Sequence, residues 1–249
     1  IESEISSVLS VIQKALAVYN IGYWMRLSLR DPNNTEKYLG ADEGWVKAEH
    51  IMRTLLQEKN IPHKEAEGEA AFYGPKIDIM AVDALNREWQ ISTVQLDFVQ
   101  PARFELEYTA EDGSKKTPVM IHRALIGSPD RFMGILMEHY AGAFPLWLSP
   151  VQVRVLPISE KHTAYAETIQ TALHTRGIRV ETDSANESLG KKIRNAKIEK
   201  IPYVLVLGDQ EMEQNTVSVE SRDQGKLDAM SIDALITRLR EEVDTKKVF

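Results

Sequence analysis

The sequence predicts an α/β protein of two domains: an antiparallel sheet with helices over residues 1–148, then a smaller α/β domain with a mostly parallel sheet over 149–249. Three observations predict it. Several strand-like runs follow one another with short turns between them, which favours antiparallel pairing. The segment Ala143-Phe144-Pro145-Leu146-Trp147-Leu148-Ser149-Pro150 places prolines around an aromatic anchor and reads as a boundary. Beyond it, strands alternate with helices, the rhythm of βαβ units.

Ile5, Val8, Leu9, Ile12 and Leu16 recur at helical spacing, so the chain opens with an amphipathic helix. A strand over Tyr23–Leu29 is ended by the turn-rich Asp31-Pro32-Asn33-Asn34. Trp45, Ala48, Met52, Leu55 and Leu56 mark a second helix that closes near Asn60. Strands are expected at Ala70–Val82 and Glu88–Phe98, followed by a hairpin of Phe104–Thr109 and Thr117–His122 turning at Glu111–Ser114. Ser128 is a suitable cap and Pro129 a suitable first residue for a helix carrying Phe132, Ile135, Leu136 and His139.

In the second domain, strands are expected at Val151–Leu156, Ile178–Glu181, Tyr203–Leu207 and Thr216–Glu220. Helices lie between them, one around Tyr165–Leu173 and one over Leu189–Lys200. A last helix, capped by Ser231, buries Ile232, Leu235, Ile236, Leu239 and Val243.

With 249 residues, 43% hydrophobic and 27% charged, the composition is that of a globular protein with room for two cores. There is no cysteine, which excludes disulfides and Cys-ligated metal within the chain and fits a reducing compartment. No apolar run is long enough to span a membrane, and neither a membrane partner nor a signal peptide is expected. A net charge of −7 argues against binding polyanions over the whole surface, so a nucleic acid would have to meet a local basic patch. No glycine-rich dinucleotide or Walker motif is present.

Three segments carry the candidate chemistry. Val119–Ile121 delivers His122-Arg123-Ala124, and a glycine turn then opens a helix with Arg131 in its first turn. Ala71-Phe72-Tyr73-Gly74-Pro75-Lys76-Ile77-Asp78 sets a phenol and an ammonium around a Gly-Pro turn. Alternation in Trp89–Phe98 points Ile91, Thr93, Gln95 and Asp97 to one face, a poor core but a suitable floor for a polar ligand. Read singly, Tyr73 is a buried Tyr, Lys76 a surface Lys and Gln95 a solvated strand residue.

Together the three segments closely resemble the catalytic core of threonyl-tRNA synthetases, a family of class II aminoacyl-tRNA synthetases. Tyr-Gly-Pro-Lys, Gln-Leu-Asp-Phe and His-Arg-Ala occur in the family's order and spacing. The resemblance begins after the second class II signature. The first two signatures and the family's N-terminal domains therefore lie outside these residues, and the chain is expected to be a partial synthetase fold, inactive and metal-free alone.

The resemblance implies threonine activation by ATP with Mg²⁺, transfer to threonine tRNA, a cytoplasmic setting and a homodimeric full-length enzyme. Tyr73, Lys76, Gln95 and Arg131 would be catalytic. Tyr73, Gln95, His122 and Ala124 would line the threonine pocket, and Gln90, Thr93, Ser128 and Arg131 would contact ATP. The family tells threonine from valine with Zn²⁺, which takes the substrate's amino and hydroxyl groups; His122 would be one of three protein ligands. Asp130, Pro129 and Ile91-Ser92 depart from the family's usual residues, while every charged role is kept.

The second domain resembles the anticodon-binding domain shared by threonyl, prolyl, histidyl and glycyl synthetases. By that resemblance Asn186, Lys200, Glu211 and Glu220 stand at anticodon-reading positions, with Glu211 suited to a guanine's donors. Glu220 stands where the family has Arg, and Arg222 is a nearby substitute. Lys191, Lys192, Arg194, Lys197 and Lys200 form the candidate phosphate-contacting cluster. The alternative is a non-catalytic module that binds tRNA or a tRNA-like mRNA, which has no need of the Tyr73, Lys76, Gln95, His122 and Arg131 set. The other histidines, His50, His63, His139, His162 and His174, show no metal-ligand spacing and read as surface or core-packing residues.

Overall fold

In the computed structural model, which describes residues 1–248, the chain divides into two compact units, Ile1–His139 and the stretch from Tyr140 onward. The division precedes the proline-flanked segment, because that segment packs into the second unit. Leu146 joins the second unit's core, and the Leu146 and Trp147 carbonyls accept from Gln152 and Arg179.

The first unit begins with α1 (Glu2–Ala17), whose Ile5, Leu9, Ile12 and Leu16 are buried at the spacing that puts them on one stripe. Then follow β1 (Tyr23–Leu29), α2 (Asp42–Glu58), β2 (His63–Glu67), β3 (Lys76–Val82) and β4 (Glu88–Asp97). Short α3 (Gln100–Arg103) leads to the small ribbon of β5 (Tyr108–Thr109) and β6 (Lys115–Lys116), and β7 (Met120–Ala124) and α4 (Pro129–His139) close the unit. The main sheet runs β2-β1-β3-β4-β7, antiparallel except for the β1–β2 pair. Met25, Leu27, Ile77, Ile79, Val94 and Leu96 are buried along it, and α1 packs against β4 and α2 against β1.

Three expectations are corrected here. The strand expected from Ala70 starts at Lys76, because Ala71–Gly74 closes a tight turn in which Gly74 N–H donates to the Ala71 carbonyl. β2, too polar to announce itself, adds a parallel edge strand. The segment expected to pair as a hairpin with Phe104–Thr109 instead supplies β7, which pairs with β4 and leaves only two residues on each side of the β5–β6 turn.

A fourth correction concerns which residues share a face. Ser92 pairs with Ile79 and Gln90 with the next residue, Met80, so Ile91 is an extra, bulged residue on β4. A bulge shifts the in–out alternation by one. Gln90 therefore joins Thr93, Gln95 and Asp97, and Ile91 leaves them to be buried.

The second unit contains β8 (Val153–Pro157), α5 (Thr163–Thr175), β9 (Val180–Thr182), α6 (Leu189–Ile198), β10 (Tyr203–Leu207), α7 (Asp209–Gln214), β11 (Ser218–Ser221), β12 (Gly225–Lys226) and α8 (Ile232–Asp244). Its sheet order is β12-β11-β10-β8-β9, parallel across β10, β8 and β9 and antiparallel at β11 and β12. Val155, Ile169, Leu173, Tyr203, Leu205, Leu235 and Leu239 fill the larger core, and Leu156, Ala196, Ile201 and Val204 form a smaller one.

Candidate functional site

The polar face of the first sheet is set by register. Across the strands, Ser28 pairs with Lys76, Lys76 with Gln95 and Gln95 with His122. The neighbouring row is Arg26, Asp78, Thr93 and Ala124. Directly opposed residues in antiparallel strands point to the same side. Lys76, Gln95, His122, Thr93 and Ala124, picked from three separate segments, therefore share one surface.

Asp97, at the end of β4, is fully buried and holds the His122 end of this surface. Its Oδ2 lies 2.8 Å from His122 Nε2, while Oδ1 accepts the Val99 and Gln100 N–H groups at the start of α3. A carboxylate partner makes Nε2 the protonated nitrogen, leaving the lone pair of a neutral His122 on Nδ1. A carboxylate placed in this way is a common means of orienting a metal-binding imidazole.

Tyr73 lies over this end, with its ring 5.3 Å from that of His122. The phenol donates to Gln95 Oε1, which leaves the Gln95 amide N–H groups as donors. Burial and then the Asp97 charge raise the Tyr73 pKa above its ordinary value, so the phenol stays a donor at neutral pH. Gly74 makes this placement possible. A Cβ there would meet the Leu96 carbonyl oxygen at 1.8 Å, so only glycine lets the turn lie flat against β4.

Lys76 is buried, against the single-residue reading of a surface Lys, and its ammonium pairs with Asp78. Gln90 Nε2 and Thr93 Oγ1 also donate to Asp78, at 2.8 and 3.0 Å. Arg131 is exposed in the first turn of α4, with its guanidinium 5.7 Å from the Trp89 ring centre. Ser128 serves that helix, its Oγ accepting from Arg131 N–H at 3.4 Å. Sequence reading assigned no role to Asp78, Arg26 or Ser28. The one available signal was polar residues at alternate positions of an otherwise apolar strand.

In the second unit Glu211 is committed twice: Oε2 accepts Gly208 N–H at 2.9 Å and Oε1 accepts Ser218 Oγ at 2.6 Å. Burial acts to raise its pKa, but the hydrogen bonds from Ser218 and Gly208 prevail and lower it. Glu220 forms an ion pair with Lys197 at 2.7 Å, so the reversed charge has its own counter-charge. Arg222 is not a free substitute reader. It donates to the Phe144 and Lys200 carbonyls and pairs with Asp223.

The basic helix is also less uniform than its sequence. Lys192 is buried and donates to the Asp183 carbonyl at 2.9 Å, Lys191 pairs with Glu187, and Lys200 donates to the Ala141 carbonyl. Arg194 and Asn186 are both exposed. His162, expected to be a surface or core-packing residue, is buried between Ser159 and Asp209.

Comparison with known proteins places these two units. Residues 4–140 match the class II tRNA synthetase core domain of the glycine, histidine, proline, serine and threonine enzymes. The chain belongs to the class II tRNA synthetases. Residues 152–242 match the anticodon-binding domain that accompanies this core.

A threonine–tRNA ligase of Acidobacterium capsulatum is 49% identical over 247 residues, which is 99% of the chain and 36% of that enzyme. One from Acetivibrio thermocellus is 48% identical over 99% of the chain and 38% of its own length. The chain thus spans little more than a third of the curated relatives it matches. Among solved structures, the RNA-binding domain of threonyl-tRNA synthetase from Cryptosporidium parvum superposes with a TM-score of 0.90 at 34% identity, covering 97% of this chain and 60% of that one. A synthetase-like protein from Aeropyrum pernix, described as a threonyl-tRNA synthetase, gives 0.78 at 27% identity over 98% of this chain and 61% of that one.

Proposed function

We propose that this chain is the part of a threonine–tRNA ligase that carries the amino-acid side of the catalytic site and the anticodon domain, within a longer, homodimeric cytoplasmic polypeptide. The carrying observation is the joining of Tyr73, Gln95 and His122 on one sheet face beside buried Asp97. A binding module has no use for a phenol, an amide and an oriented imidazole brought together in this way. Similarity to threonine–tRNA ligases over 99% of the chain supports the same reading.

The roles follow from the geometry. Asp97 takes up the Nε2–H of His122, which would leave Nδ1 to hold a metal. His122 would be one ligand of the set, and among the described residues no three His, Cys, Asp or Glu side chains come together to hold a metal. Bound Zn²⁺ would act as a Lewis acid recognising the amino and hydroxyl groups of threonine, with ATP and Mg²⁺ as the other small partners. Gln95, fixed by the Tyr73 phenol, presents its amide donors to the amino acid, and Lys76 presents an ammonium whose position is set by Asp78. Gln90, Thr93, Ser128 and Arg131 lie toward the nucleotide, where the flat guanidinium of Arg131 suits a purine ring or phosphate. Ala124 contributes a small wall beside Thr93.

Threonine recognition needs polar contacts, since shape alone separates threonine from a near-isostere by only about 1–3 kcal/mol. Asn186, Glu211, Glu220 and Lys200 are assigned to anticodon recognition in threonine tRNA. No helix among the described residues is long and apolar enough to cross a membrane. The deciding test is amino-acid-dependent pyrophosphate exchange by the longer polypeptide carrying these residues. Exchange with threonine and not valine is expected; exchange with neither would sink the proposal.

A further inference from the structure

We infer that Asp78 is a positioning residue that ties the amino-acid and nucleotide ends of the site into one array; this rests on the ligase reading. Asp78 is fully buried at the centre of the sheet. Its Oδ2 accepts from Arg26 Nη2 at 3.0 Å, from Ser28 Oγ at 2.8 Å and from the Lys76 ammonium. Its Oδ1 accepts from Gln90 Nε2 at 2.8 Å and Thr93 Oγ1 at 3.0 Å. Donors from β1, β3 and β4 therefore converge on one carboxylate.

A carboxylate offers about four lone-pair positions, so five donors share them and each donor's place limits the others. The ammonium of Lys76 is held by a fixed charge instead of ranging on its flexible stem. Spending Nε2 on Asp78 leaves the Gln90 carbonyl oxygen as that side chain's acceptor, 3.5 Å from Arg26 Nη2. The bulge at Ile91 is what brings Gln90 to this carboxylate at all. Were Ile91 instead paired with Met80 in regular register, Gln90 would project to the opposite face and the Asp78 array would lose a member. Lys76 belongs to the threonine end and Gln90 and Thr93 to the nucleotide end, so a change at Asp78 is transmitted to both.

The test uses the full-length enzyme and threonine-dependent pyrophosphate exchange. Asp78→Asn is expected to lower kcat/KM about 100-fold, the usual cost of misplacing reacting groups by a fraction of a bond length to 1 Å. KM for ATP and for threonine should both rise. Combining Asp78→Asn with Lys76→Met should cost little more than the larger single loss, because both act on the same ammonium. Independent, multiplying losses with unchanged KM values would overturn the positioning role.

Should Asp78→Asn fail to fold, Ser28→Ala carries the test, since Ser28 touches Asp78 from β1 and nothing in the proposed machinery uses it. A several-fold fall in kcat/KM in a well-folded protein supports the role. Unchanged kinetics with a lower Tm would reduce Asp78 to a structural residue. No exchange by the unsubstituted enzyme would overturn the ligase reading, and the positioning role with it.

Discussion

Asp78 and Asp97 in the first unit are fully buried, and each gathers donors from more than one element of the fold. Glu211 and Glu220 in the second unit sit at partly exposed positions; Glu211 joins the start of α7 to Ser218 of β11, and Glu220 forms one ion pair. The contrast separates two ways of building a recognition surface. A buried carboxylate sets the geometry before any ligand arrives, and removing it strands buried donors or charges at a cost of about 3–5 kcal/mol. An exposed pair contributes only about 0–1 kcal/mol, so it can be exchanged for a contact with RNA at little loss.

The sharpest way to break that contrast is His122→Ala in the full-length enzyme. Threonine-dependent exchange should fall by at least about 100-fold, more than loss of an outer-shell partner usually costs. Asp97→Asn should fall less, by about 10–100-fold, with zinc content measured by elemental analysis lowered in step. Undiminished exchange in the His122 variant would remove the imidazole from the site.

Next in size is Gly74→Ala, which tests how the preset geometry is built. With the Leu96 carbonyl 1.8 Å from the added Cβ, the backbone must move. The expected destabilisation is about 3 kcal/mol, at the upper end of overpacking effects, read from denaturant unfolding of residues 1–249. A loss below about 1 kcal/mol would show that the turn is compliant and Tyr73 loosely held.

Glu211→Gln probes the second unit while keeping an acceptor for Gly208 N–H. If Glu211 reads the middle anticodon base, stem-loops varied there should lose about 1–3 kcal/mol of discrimination, measured by titration. Equal affinity of the unsubstituted protein for all middle-base variants would confine Glu211 to its capping role. The carboxylate also has a pH signature. Its folded pKa lies below the ordinary 4.5, so its stabilising contribution is present above that value and is lost as pH falls through the lowered one. Glu211→Gln should flatten that acid-side loss.

The smallest effects belong to the basic helix, and they separate its members. Arg194 is exposed and its replacement by Ala should lower the salt slope of stem-loop binding by about one unit. Lys197→Ala removes a cation already paired with Glu220, and its slope should change less. Equal effects of the two would show that the Lys197–Glu220 pair opens freely on binding.

Much of this was legible in the sequence because periodicity reports burial directly. Ile5, Leu9, Ile12 and Leu16 announce α1, and Tyr203–Leu207 announces β10 to the residue. The polar floor of Thr93, Gln95 and Asp97 was readable from simple alternation. Gln90 was not placed by it, because one extra residue shifts the alternation and nothing in Ile91 itself signals a bulge. Lys192 and Arg222 misled because charge was read as exposure, whereas backbone carbonyls satisfy them inside the fold. Asp78 stayed silent because its significance lies in strand pairing across distant segments, which no local pattern carries.

The odd residue at Ile91 has a consequence for how this sheet can change over generations. Deleting its single codon would join Gln90 directly to Ser92 and leave the pairings on both sides intact, so that Glu88–Gln90 keep the faces they have. Gln90 would keep its bond to Asp78, and Glu88 its bond to Trp24. The length of this strand can therefore change by one residue at this place, just as its substitutions can be sampled one at a time. A recombinant that exchanges β4 between relatives can carry the strand with or without the extra residue and still present Gln90 opposite Met80.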